Sequence, residues 1–220
     1  KDNINPDEFI IVGRAESKDK ILEVTKELGI TGTIAIQKDS LGMADAVLSA
    51  KELIEGEILV VNAEDIVDQE VYTQVSKGEA EVVMVGLKVD KYFSGGYLQV
   101  TGDPSTSLRT SRVQGIVEKP GEGNEPSDMV KLVIDYFKEG KKLIDYLQKA
   151  SSERDDQYEV ALTNMIADGV QAKVIKYKGI WIPLKYPWQI LDILTYFLAG
   201  IEQKISPGAK IAKTAVIEGK

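Results

Sequence analysis

Four short apolar runs separated by helix-like segments fill the first ninety residues, and this alternation narrows the fold more than any other feature. "EFIIVG" (8–13), "TGTIAIQ" (31–37), "EILVVN" (57–62) and "EVVMVGLKV" (81–89) are too short and too rich in β-branched residues for buried helices. Between them, "SKDKILEVTKELGI" sets Ile21, Val24 and Leu28 at helical spacing, with Ser17 as N-cap and Gly29 as stop. "GMADAVLSAKELI" is an alanine-rich helix, and Asp68 is placed to cap a third helix running to about Lys77. A βαβαβαβ order predicts an α/β fold, a Rossmann-like, mostly parallel sheet with helices on both faces.

The middle of the chain changes character. "GYLQVTGD", "RVQGIVEKP" and "SDMVKLVIDYF" are strand-like with turn residues between them, and predict an antiparallel insertion. "KKLIDYLQKA" and "YEVALTNMIADG" follow as helices, "QAKVIKY" as a strand, and "PWQILDILTYFLAGI" as a helix entered through Pro187. In the tail, Ile205, Ile211 and Ile217 recur every six residues, the spacing of a hexapeptide β-helix. The expected organisation is therefore a main domain over 1–202 and the start of a left-handed β-helix over 203–220.

Composition bounds the chemistry. The 220 residues contain neither histidine nor cysteine. Imidazole bases, thiolate nucleophiles, disulfides and the usual zinc sites are thereby excluded, and a cytoplasmic protein is expected. Reactive groups must come from carboxylates, lysines, backbone amides and a hard, oxygen-bound cation. The net charge of −8 argues against non-specific nucleic-acid binding, and no apolar run is long enough for a membrane span. The chain opens on Lys1 rather than methionine and is read as a fragment.

Three motifs then stand out at predicted strand ends, where open α/β sheets bind ligands. Gln37 and Gly42 bracket a strand-to-helix loop that can present an amide and bare backbone to a nucleobase, or be an ordinary loop. Glu64 and Asp65 end a buried strand, as magnesium ligands or as a solvated helix cap. Glu118-Lys119-Pro120 ends another, able to take a sugar hydroxyl and a phosphate, or to be a surface ion pair.

Taken in order, these pieces resemble the sugar-1-phosphate nucleotidylyltransferases, such as the glucose-1-phosphate thymidylyl- and uridylyltransferases. The resemblance is carried by "QKDSLGMADAVLSAKELI", "ILVVNAEDIV", "VQGIVEKP", "QYEVALTNMIADG" and "KGIWIPLKYPWQILDILTYFL". It implies a reaction of a nucleoside triphosphate with a sugar 1-phosphate, releasing pyrophosphate with the help of Mg2+. It further implies base contacts from Gln37 and Gly42, sugar-phosphate contacts from Glu118, Lys119 and Glu159, metal ligation by Glu64 and Asp65, and a homo-oligomer.

The departures are specific. The family's glycine-rich loop, with its arginine and lysine, is absent from these residues together with the first strand. Glu64 stands where the family has a metal aspartate, Pro183 where it has the second, and Val133 near a glycine that approaches the sugar. These substitutions keep two other readings open: a non-catalytic module binding a nucleotide or sugar phosphate for regulation, and a structural oligomerisation domain. The absent strand also predicts unpaired strand edges, self-association and no turnover by this chain.

Overall fold

The computed structural model describes residues 6–101, 110–201, 205–206 and 208–216. The chain divides into two compact units. The first comprises Lys1–Asn62 and Gln69–Lys178, the second Ala63–Asp68 and Gly179–Lys220.

In the first unit, β1 (Phe9–Gly13) leads through a 3-10 turn into α1 (Lys18–Glu27), then β2 (Gly32–Ile36) and α2 (Met43–Ser49). The strands β1 and β2 pair in parallel, Phe9 opposite Gly32 and Gly13 opposite Ile36, as the first βαβ signal requires. Ser17 does not cap α1 with its side chain. Its hydroxyl accepts from Arg14 N and donates to Arg14 O, closing the 3-10 turn instead.

The remaining strands of this unit are β3 (Ile58–Val61), β5 (Val82–Lys88), β6 (Gly96–Thr101), β7 (Thr110–Glu118), β8 (Met129–Phe137) and β9 (Ala172–Tyr177). They form one sheet in the order β3-β8-β5-β9-β7-β6. Only β5 and β9 run parallel in it; its other pairings are antiparallel. This corrects the expectation of a mostly parallel sheet, because β8 enters between β3 and β5 and separates the strands whose helical crossovers implied parallel pairing. The segments read as an insertion are thus the body of the sheet. Among the described residues, β1 pairs with β2 alone and β3 with β8 alone.

Alternation along the strands assigns the two faces. Val82 and Met84 of β5, with Ala172 and Val174 of β9, face a core that also contains Ala44 and Val47 of α2. The same core takes Leu143 and Leu147 of α4 (Gly140–Lys149) and Ala161, Leu162 and Met165 of α5 (Gln157–Ala167). On the opposite face, α3 (Glu70–Ser76) buries Val71 and Val75 completely, and the glycine after it, Gly78, lies against Val83. The expectation of helices on both faces is met. The N-cap position of α3 falls on Gln69, one place after the expected Asp68, whose carboxylate accepts from Ile180 N at 3.0 Å.

In the second unit, β4 (Asp65–Val67) pairs antiparallel with β10 (Trp181–Pro183). Pro187 opens a 3-10 turn that leads into α6 (Ile190–Ala199). No residue of α6 is buried. Ile205 and Ile211 are exposed and lie in no strand, and Ile217 falls outside the described residues, so no coil of the expected β-helix is seen among the described residues. No described helix is long and apolar enough to cross a membrane.

Candidate functional site

The candidate residues divide between the two units. In the first, Gln37 follows β2 and ties its loop together. Its backbone N–H donates to Gly13 O (2.9 Å), and its side-chain amide donates to Gly42 O (3.1 Å) and to Asp45 Oδ2 (2.8 Å). Both side-chain N–H groups are therefore engaged, and the amide oxygen is the atom left for a ligand donor. Gly42 has φ +90°, a conformation that favours glycine, and a β-carbon there would collide with the carboxylate of Asp155.

Glu118 ends β7 and Lys119 follows it. Lys119 is the one described non-glycine residue with positive φ, +46°. Such a backbone is costly, and more so ahead of Pro120. It is held by Lys119 N donating to Gly95 O at 3.1 Å. The Lys119 ammonium lies 3.2 Å from Glu118 Oε1, and this hydrogen bond raises the lysine's pKa. Arg154 steadies the same turn by donating to Glu118 O (3.0 Å).

Glu159, in the first turn of α5, comes to the same place. A β-carbon on Gly96 would stand 3.0 Å from Glu118 Oε2 and 3.8 Å from Glu159 Cγ, so the bare backbone of Gly96 separates two glutamates. Burial pushes the Glu159 carboxyl up to about 7; Lys131 pulls it down, while Glu118 and Asp135 add to the rise. The structure thus brings Glu118, Lys119 and Glu159 together.

Beneath them lies a buried polar group that the sequence reading missed. Lys131 and Asp135 of β8 form an ion pair at 2.5 Å with both side chains excluded from solvent. Tyr158 donates to the same Asp135 oxygen at 3.0 Å, and the lysine ammonium stands 5.3 Å from the centre of the Tyr158 ring. Desolvation raises the pKa of Asp135 and of Tyr158. The signal was present: two charges four residues apart, on one face of an otherwise apolar strand. Val133, the substituted glycine position, lies between them on that face.

In the second unit, Glu64 sits in an exposed turn and Asp65 opens β4. Asp65 stands opposite Pro183 in the ladder, and Leu184 N donates to Glu64 O (3.1 Å). The two positions aligned with the family's metal aspartates are therefore neighbours, but one carries proline. No group of three acidic side chains able to cage a metal occurs among the described residues. Magnesium takes few protein oxygens and completes its shell with phosphate oxygens and water, so Glu64 and Asp65 are the residues of this unit that could hold it.

The sequence profile of the nucleotidyl transferase family matches residues 6–183. The chain belongs to that family. It is 31% identical over 187 residues to the bifunctional protein GlmU of Methanococcus aeolicus, covering 83% of this chain and 41% of that one. It is 27% identical over 193 residues to the bifunctional sugar-1-phosphate nucleotidylyltransferase/acetyltransferase of Sulfurisphaera tokodaii, covering 84% and 43%. The chain spans less than half the length of these curated relatives. Among solved structures it superposes on a UDP-glucose pyrophosphorylase complexed with UDP-glucose (TM-score 0.69, 13% identity, 86% of this chain and 75% of that one). It also superposes on UTP-bound UGPase from Acinetobacter baumannii (TM-score 0.65, 19% identity, 86% and 72%). At these identities the structures establish the α/β nucleotidyltransferase fold.

Proposed function

We propose that this chain is the nucleotidyl-transferring domain of a protein that makes nucleoside diphosphate sugars from a nucleoside triphosphate and a sugar 1-phosphate. The observation that carries the reading is the convergence of Glu118, Lys119 and Glu159 beside Gly96, which has no side chain to fill the space between the two glutamates. Two carboxylates accept hydrogen bonds from sugar hydroxyls, and the lysine supplies the positive charge a phosphate needs. Gln37 Oε1 and the backbone at Gly42 take the base.

In the reaction, an oxygen of the sugar phosphate attacks the α-phosphorus of the triphosphate. The bond from that phosphorus to the bridging oxygen breaks, and pyrophosphate leaves. No side chain need carry a proton, which suits a chain without histidine. Glu64 and Asp65 are the residues that would hold Mg2+, which when bound neutralises phosphate charge. Lys119 fixes the attacking phosphate, and the two glutamates fix the sugar ring that carries it.

The test is pyrophosphate release by the protein across several triphosphates and sugar phosphates, together with calorimetry of glucose 1-phosphate binding. Release that requires both substrates supports the reading; the absence of binding to any sugar phosphate overturns it. Pro183 beside Asp65 favours a second reading, in which ligands bind without turnover because one metal carboxylate is missing. Binding of both substrates without pyrophosphate release distinguishes it.

A homo-oligomer belongs to the same proposal. Leu191, Leu194, Leu198 and Ile201 follow the alternating three- and four-residue spacing of a helix-pairing seam, and all are exposed. Trp188, Ile190 and Phe197 beside the seam are exposed as well, and a second copy supplies the identical seam. Sedimentation of L194E as a monomer beside a dimeric parent supports this; a monomeric parent overturns it.

A further inference from the structure

The pair Lys131–Asp135 is unlike the other ion pairs of the structure. Those are at least partly exposed and contribute little, whereas this one is enclosed, at 2% and 0% side-chain exposure. Removing two charges from water is expensive unless they are well paired and hydrogen-bonded, so an apolar pair would serve stability as well or better. Asp135 is only partly satisfied: Oδ2 takes both Lys131 and Tyr158, while Oδ1 has no hydrogen-bond partner within the protein. Stability alone does not account for the arrangement.

Its location does. Tyr158, against whose ring the Lys131 ammonium rests, is the residue before Glu159 on α5. Glu118 from β7 and Asp135 from β8 act on Glu159 as like charges, and Lys131 opposes them; on the rim side Lys119 feels Glu118, Asp155 and Glu159, while Arg154 donates to Glu118 O and pairs with Asp156. Lys119 is itself engaged by Glu118 at the exposed rim. Lys131 is thus the cation on the buried side of Glu159, opposite the rim that carries Lys119 and Arg154.

We propose that Lys131 is a positioning residue of the ligand site: clamped by Asp135, packed on Tyr158 and set beside Gly96 by the pairing of Val130 with Tyr97, it stands as a fixed cation behind Glu159 and favours its carboxylate form, so that two acceptors flank Gly96 and take neighbouring hydroxyls of a sugar phosphate. This rests on the sugar-phosphate reading above. The anchoring gives the cation a fixed place that a flexible surface lysine would lack, and Asp135 holds it there at the expense of adding a weaker opposing charge. The Lys131 influence on Glu159 exceeds that of Glu118 and of Asp135, in agreement with this geometry.

The experiment follows the Glu159 carboxyl directly. Protein labelled with 13C at the glutamate side-chain carboxyl is titrated by NMR, with Glu159→Gln assigning the resonance. Lys131→Met should move the Glu159 midpoint upward by a unit or more, about tenfold in proton affinity, and Lys131→Arg should leave it near the parent value. In parallel, glucose 1-phosphate affinity near neutral pH should fall in Lys131→Met and recover as pH rises. A Glu159 midpoint unmoved by Lys131→Met in a folded protein, or moved equally by Lys131→Arg, overturns the proposal. Should Lys131→Met fail to fold, Lys131→Gln decides: an upward shift of the Glu159 midpoint supports it and no shift overturns it. Failure of the parent to bind glucose 1-phosphate would instead count against the sugar-phosphate reading, since the titration is read without ligand.

Discussion

Glu159→Gln should make the protein more stable at neutral and alkaline pH, and by an amount that depends on pH in a specific way. Burial raises the Glu159 carboxyl from 4.5 to about 7. A raised carboxyl means that the folded state binds the proton more tightly than the unfolded chain, so ionisation opposes folding. The effect is absent below about 4.5, grows as pH rises from there to about 7, and is constant above. A shift of about 2.5 units at about 1.36 kcal/mol per unit gives a ceiling of about 3 kcal/mol; partial exposure of the side chain reduces this to roughly 1–3 kcal/mol. Glutamine has nearly the same shape and cannot ionise. Urea unfolding of both proteins from pH 4 to 8.5 should therefore show no gap at pH 4, a widening gap through pH 6, and a plateau above pH 7 with the variant more stable. The same variant should lose sugar-phosphate affinity, because one acceptor becomes a mixed donor and acceptor. A gap independent of pH, or a variant less stable at pH 8, would refute the argument that an ionised Glu159 is costly to bury.

Two further outcomes follow from the loops. Gln37→Ala removes the bonds to Gly42 O and Asp45 and should weaken nucleoside triphosphate binding by roughly 1–2 kcal/mol, read by calorimetry with UTP and dTTP; unchanged affinity and base preference would remove Gln37 from the base site. Magnesium with a nucleoside triphosphate should raise the melting temperature of the protein, and Asp65→Ala should diminish that rise; an equal rise in the variant would leave Asp65 a strand-opening residue only.

The sequence made the elements legible more readily than their arrangement. Val82 to Gly86 read as a fully buried strand and are one, because β5 is covered on both faces. The direction of its neighbours was not legible: β8 occupies the centre through contacts with β3 and β5, and the helical spacers on which the parallel expectation rested say nothing about a strand arriving from elsewhere in the chain. The site followed the same division. Glu118, Lys119 and Glu159 were readable from an ordered resemblance, but Gly96, Lys131, Asp135 and Tyr158 depend on which strands adjoin, and that is settled by long-range packing. The positive φ of Lys119 was equally invisible, since an EKP sequence favours an extended residue before proline, and the bond to Gly95 that holds it otherwise comes from a distant part of the chain.

The strand order also sets a sequence of events. Val82 finds its neighbour at Ala172, and Ile58 at Phe137, so the middle of the sheet cannot close until most of the first unit has been made. Until then β3 and β5 exist as apolar strands whose backbone partners lie far ahead in the chain, the circumstance in which loop-closure entropy slows folding and newly made chains associate wrongly. By contrast β1 and β2 are joined through α1 and can pair early. A nascent chain halted before Gln171 would hold a finished β1-β2 pair beside an open sheet, and would be a natural client of whatever shields apolar strands during synthesis.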